Sequence, residues 1–212
     1  MSLQPDPRRP IGKRLLVFSD LHCDVKAAQS IVERAELVDV VIGAGDFGSL
    51  RRGLSRIIDV LRSIDQPCVL VPGNSESFGE LQAACLGWES AHVLHGSGVT
   101  VEGVDYYGLG GGVPVTPFGD WSYDLTEEQA REKLRGCPRG AVLVSHSPPK
   151  GILDISSTGQ SLGSLAVREA ILEKKLAGVV CGHIHESAGQ KMSLGSTQVV
   201  NAGPQGMSIY LG

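Results

Sequence analysis

The sequence predicts an α/β fold in which two β-sheets pack against each other and carry helices on their outer sides. Apolar strands alternate with amphipathic helices over residues 14–71, shorter alternating segments follow over residues 99–109, and apolar strands resume at residue 141. Strands that are apolar throughout and separated by helices are typical of parallel sheets covered on both faces. We expect one domain over residues 1–212, with residues 1–12 as an N-terminal tail.

The first part of the chain predicts a βαβαβ unit. Residues 14–19, 38–42 and 68–71 are strand-sized apolar runs. Between them, apolar residues at helical spacing predict helices over residues 25–36 and 50–63. A further helix is expected near residues 78–86.

The second part of the chain is expected to form the other sheet. Residues 99–102 and 104–109 alternate around Gly103 and predict an antiparallel hairpin. Thr126 and Gln129 have the spacing of a capping box and predict the start of a helix. The remaining predicted elements are strands at residues 141–145, 177–181, 197–200 and 207–211 and a helix at residues 165–176.

Composition and charge exclude several classes of protein. The chain has 212 residues, 42% of them hydrophobic, and a formal net charge of −4, which is typical of a globular protein and not of a disordered or coiled-coil chain. The sequence contains no block of five like charges, so we do not expect stable nucleic-acid binding. No apolar run approaches the roughly 20 residues that span a membrane. Five cysteines without a C-x-x-C pair favour a reducing, cytoplasmic location.

Polar residues follow five of the predicted strands. Asp20, Asp46 and Asn74 are separated by 26 and 28 positions, close to the length of one βα unit. We therefore expect them to lie side by side at the carboxyl edge of the sheet, where open α/β sheets hold their sites. The full set of predicted site residues at strand ends is Asp20, His22, Asp46, Asn74, His146, His183 and His185.

Two carboxylates, one amide oxygen and four imidazoles are too many ligands for one tetrahedral ion and suit two ions. Imidazole and carboxylate without thiolate favour Mn, Fe, Zn, Co or Ni over Ca or Mg. Two divalent ions about 3.5–4 Å apart can share a carboxylate and a hydroxide whose pKa is lowered, so that it attacks phosphorus in line. The residue types predict a binuclear metal centre with hydrolytic chemistry.

These motifs resemble those of the calcineurin-like metallophosphoesterases, which read D-x-H, G-D, G-N-H-[DE], H and G-H-x-H in this order. The matching motifs run from Asp20 to His185. The sequence resembles the small prokaryotic members of phosphodiesterase type. The resemblance implies a two-sheet α/β/β/α sandwich with the metal site at the carboxyl ends of the strands. It implies one metal ion held by Asp20, His22 and His185 and a second held by Asn74, His146 and His183, with Asp46 bridging.

The resemblance also implies the activity. A metal-dependent phosphoesterase is expected to use a hydroxide bridging two divalent metals to cleave a small, nucleotide-like phosphoester, a diester in preference to a monoester. Manganese is the expected metal, and Fe, Zn, Ni and Co are alternatives. A non-catalytic binding scaffold on the same fold is the alternative function.

One position departs from the family pattern. Ser75 stands where the family places a histidine that contacts the substrate and protonates the leaving group. A serine hydroxyl can donate a hydrogen bond to a phosphate oxygen but is a poor general acid near neutral pH. We assign Ser75 a catalytic contact and expect esters with good leaving groups to be affected least.

Other residues receive less specific predictions. We expect Glu76 to orient a neighbouring residue, Cys181 to lie in the core, Cys23 to be an incidental thiol, and His92 and His95 to be surface imidazoles. The glycine pattern of residues 43–48 fits a dinucleotide fingerprint, but it follows the second strand and lacks an acidic residue at the end of the next one. Residues 159–163 fit a nucleophile elbow, but no strand precedes them.

Overall fold

The computed structural model describes residues 12–212, so the predicted tail over residues 1–12 lies, except for Gly12, outside the described residues. Within this range the chain forms a five-stranded and a six-stranded sheet. The strands are β1 Lys13–Phe18, β2 Val40–Gly43, β3 Cys68–Leu70, β4 Ala91–Val93, β5 Ser97–Val101, β6 Val104–Leu109, β7 Val142–Ser145, β8 Gly178–Cys181, β9 Gln190–Leu194, β10 Thr197–Asn201 and β11 Met207–Leu211. The helices are α1 Val25–Ala35, α2 Leu54–Leu61, α3 Phe78–Ala84, α4 Glu127–Leu134 and α5 Leu165–Lys174.

The first sheet has the order β11-β1-β2-β3-β4. Strands β1 to β4 are parallel, with Leu15 opposite Val40 in β1 and β2, and β11 pairs antiparallel with β1 at the edge. The predicted βαβαβ unit is confirmed. Strand β4 was not predicted, because three partly buried residues are too short to show a pattern.

The second sheet has the order β5-β6-β7-β8-β10-β9. The predicted hairpin is confirmed as the antiparallel pair β5 and β6, and β6, β7, β8 and β10 are parallel to their neighbours. Strand β9 was not predicted. It is a mostly exposed edge strand, so its sequence carries no apolar alternation.

The helices begin where polar side chains cap them, with one exception. Asp24 accepts hydrogen bonds from the backbone N–H groups of α1, and the predicted capping box of Thr126 and Gln129 is present at α4. The prediction that the second helix begins at residue 50 was wrong. Leu50 and Arg51 have φ angles of 48° and 64°, so the chain turns before α2 begins.

The core lies in three layers. Side chains of both sheets interdigitate between them, while α1 and α2 pack on the outer face of the first sheet and α4 and α5 on that of the second. Cys181 is fully buried, as predicted. The α/β/β/α sandwich is confirmed, and the carboxyl ends of its parallel strands open on one side of the molecule. Within residues 12–212, every helix is too short or too polar to span a bilayer.

Candidate metal centre

The residues predicted to converge are brought together at the carboxyl ends of strands from both sheets. Asp20 and His22 follow β1, Asp46 follows β2, Asn74 follows β3, His146 follows β7, and His183 and His185 follow β8. Five of them line a cleft of about 320 Å³, and Asp20 and His146 lie outside this lining. Asp20, Asp46, Asn74 and His146 are all buried. All seven positions predicted from the sequence therefore belong to one site.

The backbone around the site is held in an uncommon conformation. Asp20, His22, Asp46 and His183 have positive φ angles between 43° and 68°, the left-handed region that few residues other than glycine adopt. Such outliers concentrate at functional sites because the surrounding structure must hold them in place. Here the loops that follow β1 and β2 are hydrogen-bonded to each other, with Asp20 N–H donating to the Gly45 carbonyl oxygen at 2.9 Å.

Two glycines allow the loops to approach the carboxylates. A Cβ atom on Gly73 would overlap the Asp46 carboxylate, and one on Gly182 would overlap that of Asp20. Glycine at these positions is thus a packing requirement of the site, independent of any turn preference.

Three ligand atoms converge around His146. Its Nδ1 lies 2.8 Å from the Ala44 carbonyl oxygen, so Nδ1 carries the proton and Nε2 keeps a lone pair in the neutral ring. Nε2 lies 3.1 Å from Asn74 Oδ1 and 3.6 Å from Asp46 Oδ1. Acceptor atoms face one another here, an arrangement that a metal cation between them would satisfy. An imidazole that donates its other N–H to a carbonyl is also typical of a metal ligand.

A second group of ligand atoms lies on the other side of Asp46. His22 Nε2 is 3.2 Å from His185 Nε2 and 3.6 Å from Asp46 Oδ2. Single ligand atoms of Asp20, His22 and His185 lie within 4.8 Å of one another, as do those of Asp20, Asp46 and His146. The two Asp46 oxygens therefore point to different groups, and the residues present fit a pair of cations.

The electrostatics leave Asp20 and His183 in the forms that bind cations. Burial raises the pKa of Asp20, but the His185 imidazole, whose Nε2 lies 3.7 Å from Asp20 Oδ1, the charge of His146 and the Ser19 hydroxyl outweigh it and lower the pKa to about 2. Burial and the charge of His146 lower the pKa of His183 to about 4. At neutral pH Asp20 is ionised and His183 is neutral, as metal binding requires.

His146 and His185 are shifted the other way. Burial lowers the pKa of His146, but the charges of Asp46 and Asp20 outweigh it and raise the pKa. The nearby Asp20 carboxylate, with Oδ1 3.7 Å from His185 Nε2, is the main cause that raises the pKa of His185. Both histidines respond to the excess negative charge of the two carboxylates, which is the charge that a bound cation would neutralise.

The prediction that Glu76 orients a neighbouring residue is confirmed. Its buried carboxylate accepts hydrogen bonds from the backbone N–H groups of Asp46 and Gly73, both at 2.8 Å, and of Phe47 and Gly48 at 3.3 and 3.1 Å. Burial and the charge of Asp46 raise the pKa of Glu76 to about 7 against the opposing effect of these hydrogen bonds. Glu76 thus joins the loops that carry Asp46 and Asn74.

Asn74 is oriented by residues of the loop between β6 and α4. Its Nδ2 donates to Ser122 Oγ at 3.1 Å, and its backbone carbonyl oxygen accepts from Tyr123 N–H at 2.9 Å. Asp124 in turn accepts from Ser122 Oγ at 2.8 Å and from Thr116 Oγ1 at 2.7 Å. The loop between β6 and α4 therefore holds the amide oxygen of Asn74 toward His146.

The prediction that His95 is a surface imidazole was wrong. Only 9% of His95 is exposed, and the ring lies between Phe78 and Tyr123, with ring centroids 5.5 and 5.6 Å away. Gly110 N–H donates to Nδ1 at 3.1 Å, so the neutral ring carries its proton on Nε2, 3.1 Å from the Tyr123 hydroxyl. The sequence does not show this burial, because Phe78 and Tyr123, which cover the ring, are 17 and 28 positions away.

Acid should destabilise the metal-free protein partly through His95. Burial and the charge of Lys133 lower the pKa of His95 to about 4 from 6.5, so between these pH values the unfolded chain binds more protons. The stabilisation is present above pH 6.5 and is lost as the pH falls through 4. We expect the free energy of unfolding, measured in urea at pH 7.5 and 5, to fall less in His95→Asn than in the wild type. His92→Asn controls for histidine loss on this segment, and an equal fall in both variants would contradict the assignment.

Comparison with known proteins identifies the family. The family model for the calcineurin-like phosphoesterase superfamily domain matches residues 14–209. The chain belongs to this superfamily. Calcineurin-like phosphoesterases are hydrolases of phosphoesters, and the match covers every predicted ligand position. No curated protein sequence matches the chain significantly.

Solved structures show the same calcineurin-like fold. The protein TT1561 of Thermus thermophilus is 16% identical with a TM-score of 0.75, over 94% of this chain and 99% of its own. A dimetal phosphatase from Danio rerio is 14% identical with a TM-score of 0.60, over 93% and 92% of the two chains. A novel archaeal phosphodiesterase is 14% identical with a TM-score of 0.54, over 93% and 99%.

Proposed function

We propose that the protein is a phosphodiesterase that uses two divalent metal ions. Asp20, His22 and His185 would hold one ion, Asn74, His146 and His183 the other, and Asp46 would bridge them. One observation carries this proposal: the two Asp46 oxygens face different groups of ligand atoms, with His146 Nε2 3.6 Å from Oδ1 and His22 Nε2 3.6 Å from Oδ2. Manganese is the expected metal, with Fe, Zn, Ni and Co as alternatives.

Two divalent ions would supply Lewis-acid charge and a hydroxide nucleophile at neutral pH. The protein contributes positioning. Glu76 and the Ser75 N–H, which donates to Asp46 Oδ1 at 2.8 Å, orient the bridging carboxylate. Ser75 lines the cleft, and we assign its hydroxyl a hydrogen bond to a phosphoryl oxygen of the substrate.

The cleft favours a diester over a monoester. Among the described residues that line it there is no lysine or arginine, and Glu186 adds a negative charge. A monoester carries up to two negative charges near neutral pH, whereas a diester carries one. A site without additional cations is better matched to the single charge. The archaeal relative with this fold is described as a phosphodiesterase, which also favours this substrate class.

The test is hydrolysis by protein stripped with EDTA, measured with bis-p-nitrophenyl phosphate and p-nitrophenyl phosphate before and after addition of Mn²⁺. We expect no turnover before addition and turnover of the diester at least tenfold above that of the monoester afterwards. Metal-independent turnover would contradict the binuclear mechanism. Bound metal without turnover of either ester would favour the non-catalytic scaffold.

Ser75→His should restore general acid catalysis selectively. General acids contribute about 10²–10⁴-fold where the leaving group is poor. We expect about tenfold faster cleavage of a dinucleotide, which has an alkoxide leaving group, and less than a twofold change for bis-p-nitrophenyl phosphate. Ser75→Asn is the matched control because asparagine has similar bulk and no titratable proton. Equal acceleration of both esters would contradict the hypothesis that the residue at position 75 limits cleavage only where the leaving group is poor.

We also propose that the substrate is a small, nucleotide-like phosphoester.

We further propose that the protein works in the cytoplasm. All five cysteines are free thiols, and four of them are buried, as expected in a reducing compartment. Cys23 donates to the Arg52 carbonyl at 3.3 Å outside the ligand set, which agrees with an incidental thiol.

A further inference from the structure

Two aromatic rings lie at the cleft, and the proposed hydrolysis of the phosphoester does not use them. Phe118 and Trp121 both line the cleft that contains His22, Asp46 and Asn74. Their ring centroids are 5.5 Å apart and the ring planes differ by 19°, so the rings are stacked. Phe118 is 51% exposed, although burial of an aromatic ring of this size is favourable. The stacked pair presents an unused apolar surface beside the candidate metal site.

The loop that carries these rings is fixed to the metal site. Trp121 directly precedes Ser122, which accepts a hydrogen bond from Asn74 Nδ2 at 3.1 Å. Within the same loop, Asp124 accepts from Thr116 N–H at 2.9 Å and from the hydroxyl of Ser122 at 2.8 Å. The loop backbone beside the rings is thereby tied to a proposed metal ligand, which places the rings next to the group that would be attached to the reacting phosphorus.

The loop between β7 and α5 contributes another part of the cleft lining. Leu162, 42% exposed, supplies apolar surface there, and Ser156 and Ser157 supply hydroxyl groups. The loop is shaped by buried Asp154, which accepts from Gly151 N–H at 2.9 Å and Gly163 N–H at 3.0 Å. A cleft lined by aromatic rings, an aliphatic side chain and hydroxyl groups suits a planar ring that has polar edges.

We propose that Phe118 and Trp121 form a stacking surface that binds a planar, unsaturated ring of the substrate, with the chemistry of a nucleobase, and so select ring-bearing phosphoesters over simple sugar or alkyl phosphoesters. This inference rests on the proposed function, since it assigns the substrate class of the same cleft. Stacking of a base on an aromatic side chain contributes about 1–3 kcal/mol, which corresponds to about 5–150-fold in affinity.

The test compares two ligands that share a sugar phosphate and differ in the ring. Uridine 5′-monophosphate and ribose 5-phosphate are titrated into the Mn²⁺-loaded protein by calorimetry, and the ligand recovered afterwards is assayed for hydrolysis. We expect the uridine compound to bind about tenfold more tightly to the wild type. Phe118→Leu and Trp121→Leu should each remove most of this preference and change the affinity for ribose 5-phosphate by less than twofold.

Tyr210→Leu is the matched control, because Tyr210 is an exposed aromatic residue that lines a different groove. Equal affinity of the two ligands for the wild type, absence of uridine monophosphate binding, or a preference that survives in both loop variants would overturn the inference. The outcome is separable from the proposed function. Ring-dependent binding without hydrolysis of any ester would contradict the phosphodiesterase proposal and support the stacking surface. Hydrolysis of a diester without ring preference would support the phosphodiesterase proposal and contradict the stacking surface.

Discussion

Asp46→Asn should lower Mn²⁺-restored turnover of bis-p-nitrophenyl phosphate by about 10³-fold or more. A carboxylate shared by two cations contributes its charge to the binding of both, so its loss weakens metal binding. It also weakens the transition-state stabilisation that the cations supply, and this stabilisation amounts to several kcal/mol. The fold should survive, because asparagine tolerates the φ angle of 57° at this position and its amide oxygen can still accept from Ser75 N–H.

Metal content after dialysis and the melting temperature are measured with the activity. We expect less bound metal than in the wild type and a melting temperature of the metal-free protein that changes little. Asp105→Asn is the matched control, since Asp105 is exposed on β6 and distant in sequence from every proposed ligand. Full activity of Asp46→Asn would refute the bridging role, and loss of folding in this variant would make Asp46 a structural residue instead.

Glu76→Ala should be strongly destabilising. It removes the acceptor of four buried backbone N–H groups, and each unsatisfied buried donor costs about 1–3 kcal/mol. Allowing for water entering the space, we expect the metal-free protein to lose about 3–5 kcal/mol of unfolding free energy, which lowers the melting temperature by about 6–20 °C.

Glu76→Gln separates hydrogen bonding from side-chain volume. The glutamine oxygen can retain the bonds from Asp46, Phe47 and Gly73, while its NH₂ group would face the Gly48 N–H. We expect a loss of about 1–3 kcal/mol, measured by urea unfolding. Glu128→Ala, at an exposed position in the first turn of α4, should change stability by no more than about 0.5 kcal/mol. If Glu76→Ala were as stable as this control, Glu76 would not hold the two loops together.

Elements with a strong local pattern were predicted correctly, and features without one were not. The strands of the βαβαβ unit and the capping box at Thr126 are visible in the sequence because apolar runs and capping residues act over a few positions. Strand β9 pairs with the adjacent β10, but it is an exposed edge strand of mostly polar residues and so shows no apolar pattern. His95 is buried because Phe78 and Tyr123, which are 17 and 28 positions away, cover it.

For the metal site, the sequence by itself determined the seven candidate residues and their order at the ends of strands, because parallel strands of similar spacing bring their carboxyl ends to one edge. Only the tertiary structure decided how these residues face one another. It placed His22 Nε2 3.2 Å from His185 Nε2 across 163 positions of chain, directed the two Asp46 oxygens to different groups, and brought the Phe118 loop to the cleft. These distances depend on how the two sheets pack, which is set by the whole core and not by any local segment.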